Sequence, residues 1–202
     1  MQKQSMYTIL LAISLFAAGC TAGTRIEKSW RDPSVTVDTS TIHKFLVAAL
    51  LRDETTRHIA EDKMAALYPG KAVPSYNVLG TGELKQGEEF YKAKLKDEGY
   101  DGVVVIRLVN VEKDQRYVPG NYPTYYRGWY GYYRYASPYF YDPGYYTTDK
   151  TYYAETNVYS LRRDKLIWTG ITSTINPASS NSLVDEIIKV VNKKMQDEKF
   201  IE

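Results

Sequence analysis

The sequence predicts an α/β fold: a mixed five-stranded sheet in the order β-α-β-α-β, then an antiparallel hairpin and a C-terminal helix, with a tyrosine-rich insertion. Three observations predict it. Two short apolar runs, residues 45–51 and 103–106, are nearly unbroken, as strands covered on both faces are. Stretches of helical periodicity follow the first run and precede the second. The chain ends in two strand-like segments about a charged turn and one strongly amphipathic helix.

The first strand runs from Lys44 to Leu51. Asp53 and Glu54 then stand in the first turn of a helix, where the dipole favours anions, and Thr56, Ala60, Met64 and Leu67 recur at helical spacing until Pro69-Gly70 ends it. A second strand over residues 72–79 contains Pro74, which lacks an N–H and so belongs at a sheet edge. Residues 87–98 form a second helix closed by Gly99, with Phe90, Ala93 and Leu95 turned inward. Residues 102–111 are the third strand, and right-handed crossovers make the three strands parallel. Residues 151–161 and 166–175 form the hairpin about Arg162-Arg163-Asp164-Lys165. In the last helix Ser182 is the cap, while Val184, Ile187, Ile188, Val191 and Met195 line one face.

The N-terminus reads as a cleavable signal peptide over residues 1–19. Lys3 supplies the positive charge, residues 7–18 form an apolar segment too short to span a bilayer, and small residues precede Cys20, the single cysteine. The series Leu15-Phe16-Ala17-Ala18-Gly19-Cys20 resembles the lipobox of bacterial lipoproteins, with Ala17 where leucine is more usual. The resemblance implies that Cys20 is acylated and becomes the first mature residue, which also uses up the only thiol of an exported chain. The bilayer is then the first expected partner, reached through lipid on Cys20. Thr21, rather than Asp, after the cysteine matches the sorting habit of outer-membrane lipoproteins facing the periplasm. Residues 20–41, polar and rich in Ser, Thr and Asp, read as lipidated cysteine and tether, and residues 42–202 as one domain.

Losing Lys3 with the leader brings the net charge from +2 to near +1, which gives no argument for nucleic acid. There is no phosphate loop, no nucleophile elbow and no metal-ligand spacing, so the expectation is a protein that is not an enzyme, with no cofactor, no metal and no catalytic residues. His43 and His58 read as ordinary surface or packed histidines, and Asp101 as a turn cap. Arg52, Asp53, Glu54 and Arg57 cluster at the carboxyl edge of the first strand, where α/β sheets commonly bind ligands; helix-end charge and local ion pairing are the simpler account.

Residues 117–146 hold 12 of the 20 tyrosines with four prolines and four glycines, which forbid a long helix and make the segment an irregular loop or ribbon. Tyr125, Tyr126, Arg127, Trp129, Tyr130, Tyr132, Tyr133, Arg134 and Tyr135 are its candidate partner-binding residues, since tyrosine stacks at little entropic cost and arginine adds cation-π capacity. Three readings stand open: a surface for an envelope protein or a peptidoglycan or glycan partner, a tolerated low-complexity insertion, and an interfacial segment at the headgroup level.

The motifs Ser29-Trp30-Arg31-Asp32-Pro33, Gly99-Tyr100-Asp101-Gly102-Val103 and Lys165-Leu166-Ile167-Trp168-Thr169-Gly170, in this order of elements, resemble small bacterial envelope lipoproteins of a family of unknown function. The layout is more distantly similar to the N-terminal domain of the Tol-Pal translocation protein TolB and to lipoproteins of curli secretion and peptidoglycan-synthase activation. That resemblance implies a non-catalytic binding or assembly role in the envelope. The alternative is an enzyme or small-ligand binder at the carboxyl edge of the parallel strands.

Overall fold

The computed structural model describes residues 23–79, 87–119 and 144–202. Six strands form one mixed sheet in the order β1-β6-β5-β4-β2-β3: β1 Thr24–Arg31, β2 Phe45–Leu50, β3 Ala72–Pro74, β4 Gly102–Val118, β5 Tyr145–Ser160 and β6 Lys165–Ile175. Among the described residues the α-helices are α1 Glu54–Ala66, α2 Glu88–Asp97 and α3 Ser180–Asp197. The predicted class holds: β2 pairs in parallel with β3 and β4, while β4, β5 and β6 meander antiparallel.

Alternation along β2 sends its side chains to two different cores. Leu46 joins Leu95 of α2, Tyr100 and Leu161 on one face, while Val47 and Ala49 join Ala60 and Met64 of α1 on the other. Helix α3 shares that second face, where Ile187, Val191 and Met195 pack on Ile167, Trp168 and Ala154. Trp168 is fully buried and folds its indole back over Gly170, where a Cβ would run into the ring. Its Nε1 donates to Glu198 at 2.8 Å, which satisfies the one polar atom of a large buried side chain.

Four expectations need correction. Residues 24–31 are not tether but a sixth strand, β1, paired antiparallel with β6 from Thr24↔Thr174 to Arg31↔Trp168. The strand is mostly polar, only Ile26 packs against the core, and a register shift between Ile26 and Lys28 breaks the alternation that announces a strand. Backbone pairing holds it, together with side-chain bonds to α3 such as Thr24 to Glu186 at 2.8 Å and Ser29 to Glu198 at 2.6 Å. The chain beyond β1 is also tied down. Asp32 accepts from Ser34 and from Lys165 at 2.5 Å, Val35 is buried, and Val37 bridges to Ile201.

The second strand is shorter than expected: pairing stops at Pro74, and residues Ser75–Asn77 form a 3-10 turn, because proline cannot donate to the ladder. Phe90, at 43% exposure, and Ala93 face solvent, so of the three residues expected inward α2 buries Leu95 alone. Helix α3 starts earlier than Ser182. Ser179 is the cap and Ser182 returns the bond from the third position, a reciprocal capping box.

Candidate functional site

Strands β4 and β5 are the longest of the sheet, and their far halves leave it. Pairing of β2 with β4 stops at Leu50↔Arg107 and pairing of β6 with β5 at Thr151↔Ile175, but β4 and β5 continue together to Val118↔Tyr145. Residues 113–118 and 145–150 thus form a two-stranded ribbon whose inter-strand partners, among the described residues, are each other. The sequence reading ended these strands at residues 111 and 151. The extra pairs are polar on both faces and carry no apolar alternation, although Thr, Tyr and Val favour strands.

The ribbon is fixed at its base and bare toward its end. Asn176, at φ 46°, clasps the base: its N–H donates to Lys150 O at 2.9 Å, its Oδ1 accepts from Lys150 N at 2.8 Å, and its Nδ2 donates to Asp149 at 2.7 Å. Farther out, the Tyr117 and Tyr146 rings lie 5.1 Å apart, and Tyr145 and Tyr146 are 60% and 72% exposed. The candidate residues Tyr125, Tyr126, Arg127, Trp129, Tyr130, Tyr132, Tyr133, Arg134 and Tyr135 lie outside the described residues, between the two ends of this ribbon, and so does Cys20.

The register ties the ribbon to the start of the chain. Thr24 pairs with Thr174, Thr174 with Tyr152, and Tyr152 with Val111, so one row across the sheet joins the beginning of β1 to the level where the ribbon departs. That row lies at the carboxyl edge of the parallel strands. From Val111 to Val118 the ribbon extends seven residues, about 23 Å. Cys20 stands four residues before Thr24, a span of at most about 14 Å even fully extended.

At the same edge the structure brings Asp53, Glu54 and Arg57 together. Asp53 caps α1, accepting from the Thr56 backbone at 2.7 Å and its hydroxyl at 2.6 Å, bonds that hold its carboxyl below the ordinary range. Arg57 spans Glu54 at 3.3 Å and Glu61 at 3.2 Å. Arg52 joins no ion pair among the described residues, but with Asp53, Leu108, Tyr152 and Leu183 it borders a largely apolar cavity of about 230 Å³.

Glu61, which sequence reasoning missed, is the hub of this cluster. It is fully buried and accepts from Ala49 N at 2.9 Å, Ser75 Oγ at 2.8 Å, Tyr76 N at 3.2 Å and Arg57. It therefore ties β2, α1 and the turn after β3 together. The only sequence signal was an acid on the apolar stripe of α1, one residue after Ala60.

The histidines carry no such network. His58 stacks on Tyr76 at 4.1 Å, and His43 is exposed. Asp101 accepts from the His43 N–H at 2.6 Å and pairs with Arg162 at 2.5 Å. Burial raises its pKa, and these bonds outweigh it, so the carboxyl titrates below its usual value. Among the described residues no group of His, Cys, Asp and Glu is placed to hold a metal, and no helix is long and apolar enough to cross a membrane.

No family model and no curated protein sequence matches the chain. Among solved structures it is similar to the PelC dodecamer from Paraburkholderia phytofirmans, with 10% identity and a TM-score of 0.42 over 83% of this chain and 94% of that one. It is also similar to the lipoprotein GNA1162 from Neisseria meningitidis, with 13% identity and a TM-score of 0.40 over 76% of this chain and 98% of that one. Likeness at this level assigns no function to the chain.

Proposed function

We propose that this chain is a lipid-anchored lipoprotein of the bacterial envelope, held at the outer membrane on its periplasmic face, and that it acts as a non-catalytic binding or assembly factor. Its contact element is the β4–β5 ribbon with the tyrosine-rich segment the ribbon carries. The observation that supports this most is the shared edge: the ribbon leaves the sheet at the row where β1 begins, four residues after Cys20. Anchoring at Cys20 holds this edge toward the lipid, so the aromatic segment works close to the membrane surface and its effective concentration there is raised.

The ribbon also suits contact more than catalysis. It offers exposed aromatic area on a paired backbone, whereas the charged groups of the carboxyl edge already serve one another. The test is deletion of residues 118–146 in the full lipoprotein, followed by co-sedimentation with peptidoglycan and crosslinking to envelope proteins in cells. We expect the crosslinks and the sedimented fraction to fall to background; retention of both would remove the recognition role.

A second reading places a small ligand at the carboxyl edge, and the cavity of about 230 Å³ beside Arg52 and Asp53 favours it. Against it, the Asp53 carboxylate is spent on the helix cap.

A further inference from the structure

The opposite edge of the sheet holds a larger cavity, of about 260 Å³, between the sheet and helices α1 and α3. Val47, Val104, Val158 and Ile167 form its floor, Met64 and Val191 stand among its helix-side walls, and the segment around Val37 with Phe200 closes one end. That closure is hydrogen-bonded: Val37 N donates to Phe200 O at 2.7 Å, and Lys71 Nζ donates to Thr39 O at 2.7 Å. Among the exposed lining residues, Thr41, Tyr159, Arg162 and Arg163 gather where β2 and β4 begin and β5 ends, which sets the mouth at the amino edge, with Thr36, Asp38 and Leu67 exposed as well.

One polar group in this apolar chamber is unexplained. Thr156 is 1% exposed, lines the cavity, and its Oγ1 has no hydrogen-bond partner among the described residues. Thr172, on the neighbouring strand, shows the usual solution, donating to Ala154 O at 3.2 Å. A buried hydroxyl is ordinarily paired. Water is a poor substitute here, because an ordered water needs two to four polar partners and most of the lining around Thr156's side of the sheet, Val104, Ile106, Val158 and Ile167, is apolar. At the mouth, Arg162 is shared with Asp101, while Arg163 joins no ion pair among the described residues.

We propose that this cavity binds a single-chain amphiphile: an apolar chain lying between Val104, Met64 and Val191, a chain oxygen accepting from Thr156, and an anionic head at Arg162 and Arg163. The volume lies just under that of common ligand pockets, which suits a slender chain better than a ring system. The ligand proposed is a free amphiphile, and Cys20 itself stands away from the mouth. The mouth lies a β1 length of eight residues, about 26 Å, from the edge where Thr24 begins, beyond the reach of the four residues that join Thr24 to Cys20. The site therefore stands independently of the anchoring proposed above.

The test is native mass spectrometry of the full-length protein titrated with 12-hydroxydodecanoic acid, an anionic single chain that carries an oxygen at its far end, for wild type, Val104→Phe and Thr156→Val. We expect a saturable one-to-one adduct on wild type, its loss in Val104→Phe, which fills the floor, and about tenfold weaker binding in Thr156→Val. Thr156→Val keeps the side-chain shape and removes an unpaired hydroxyl, so it should melt no lower than wild type while binding less. Absence of a saturable adduct on wild type would overturn the proposal. So would undiminished binding by a folded Val104→Phe or, where that variant does not fold, by Thr156→Val.

Discussion

At the scale of residues, this fold is held by a few buried polar groups as much as by its apolar surface. Glu61 is fully buried and serves four donors on three elements. Glu61→Ala leaves the Ala49 and Tyr76 N–H groups without their acceptor and Arg57 with Glu54 as its remaining carboxylate, and should cost about 3–5 kcal/mol in urea denaturation. A loss below about 1 kcal/mol would mean that those groups find other partners. Gly170→Ala drives a Cβ into the Trp168 indole and should cost about 1–3 kcal/mol through overpacking.

Acid should weaken the molecule through carboxyl groups held below their ordinary values, Asp32, Asp101 and Glu198 among them. For Asp32 the main cause is the bond from Lys165, helped by Ser34. For Asp101 and Glu198, burial pushes upward and is outweighed by bonds from His43 N and Arg162, and from Ser29, Trp168 and Lys194. In each case the unfolded chain takes up the proton at a higher pH than the folded one. The stabilisation is therefore complete above roughly pH 5 and is lost as the pH falls through about 4 and below. Urea midpoints followed by tryptophan fluorescence should decline over that range, and Asp32→Asn should flatten part of the decline. A midpoint unchanged between pH 5 and 3 would contradict the assignment.

At the scale of elements, the ribbon is an appendage. Residues 116–147 lie beyond the Asn176 clasp, so replacing them with an Asn-Gly turn closes the hairpin at Gln115↔Thr148 without touching the core. Urea stability should stay within about 1 kcal/mol of the parent, and a larger loss would show that the aromatic segment packs on the domain. Legibility in the sequence followed burial. Strand β2, helix α1, the β4 core, the hairpin and helix α3 announce themselves because their apolar residues recur at the spacing of the faces they bury. Strand β1 and the ribbon do not: the ribbon rests on backbone pairing, and β1 on pairing and on side-chain bonds to Glu186 and Glu198, and no local pattern encodes a partner more than 100 residues away. Glu61 was hidden for the same reason. Its role appears only once β2 and the turn after β3 are brought against α1. The carboxyl-edge cluster was legible because Asp53, Glu54 and Arg57 act over one helical turn.

At the scale of the whole molecule, the two ends of the sheet differ. Its carboxyl edge gathers the first strand's beginning, the ribbon and the caps of α1 and α3, while its amino edge holds the apolar cavity behind Arg162 and Arg163. A ribbon of about 23 Å overreaches a tether of at most about 14 Å, so an anchored domain brings its aromatic segment to the bilayer surface or leans to pass along it. The membrane part of that picture depends on lipid at Cys20. Metabolic labelling with an alkynyl fatty acid, combined with membrane fractionation of wild type and Cys20→Ser, tests it most directly. The account predicts label and membrane partition for wild type and neither for the variant. A wild-type protein that takes up no label, or a Cys20→Ser protein that still sediments with membranes, would contradict it.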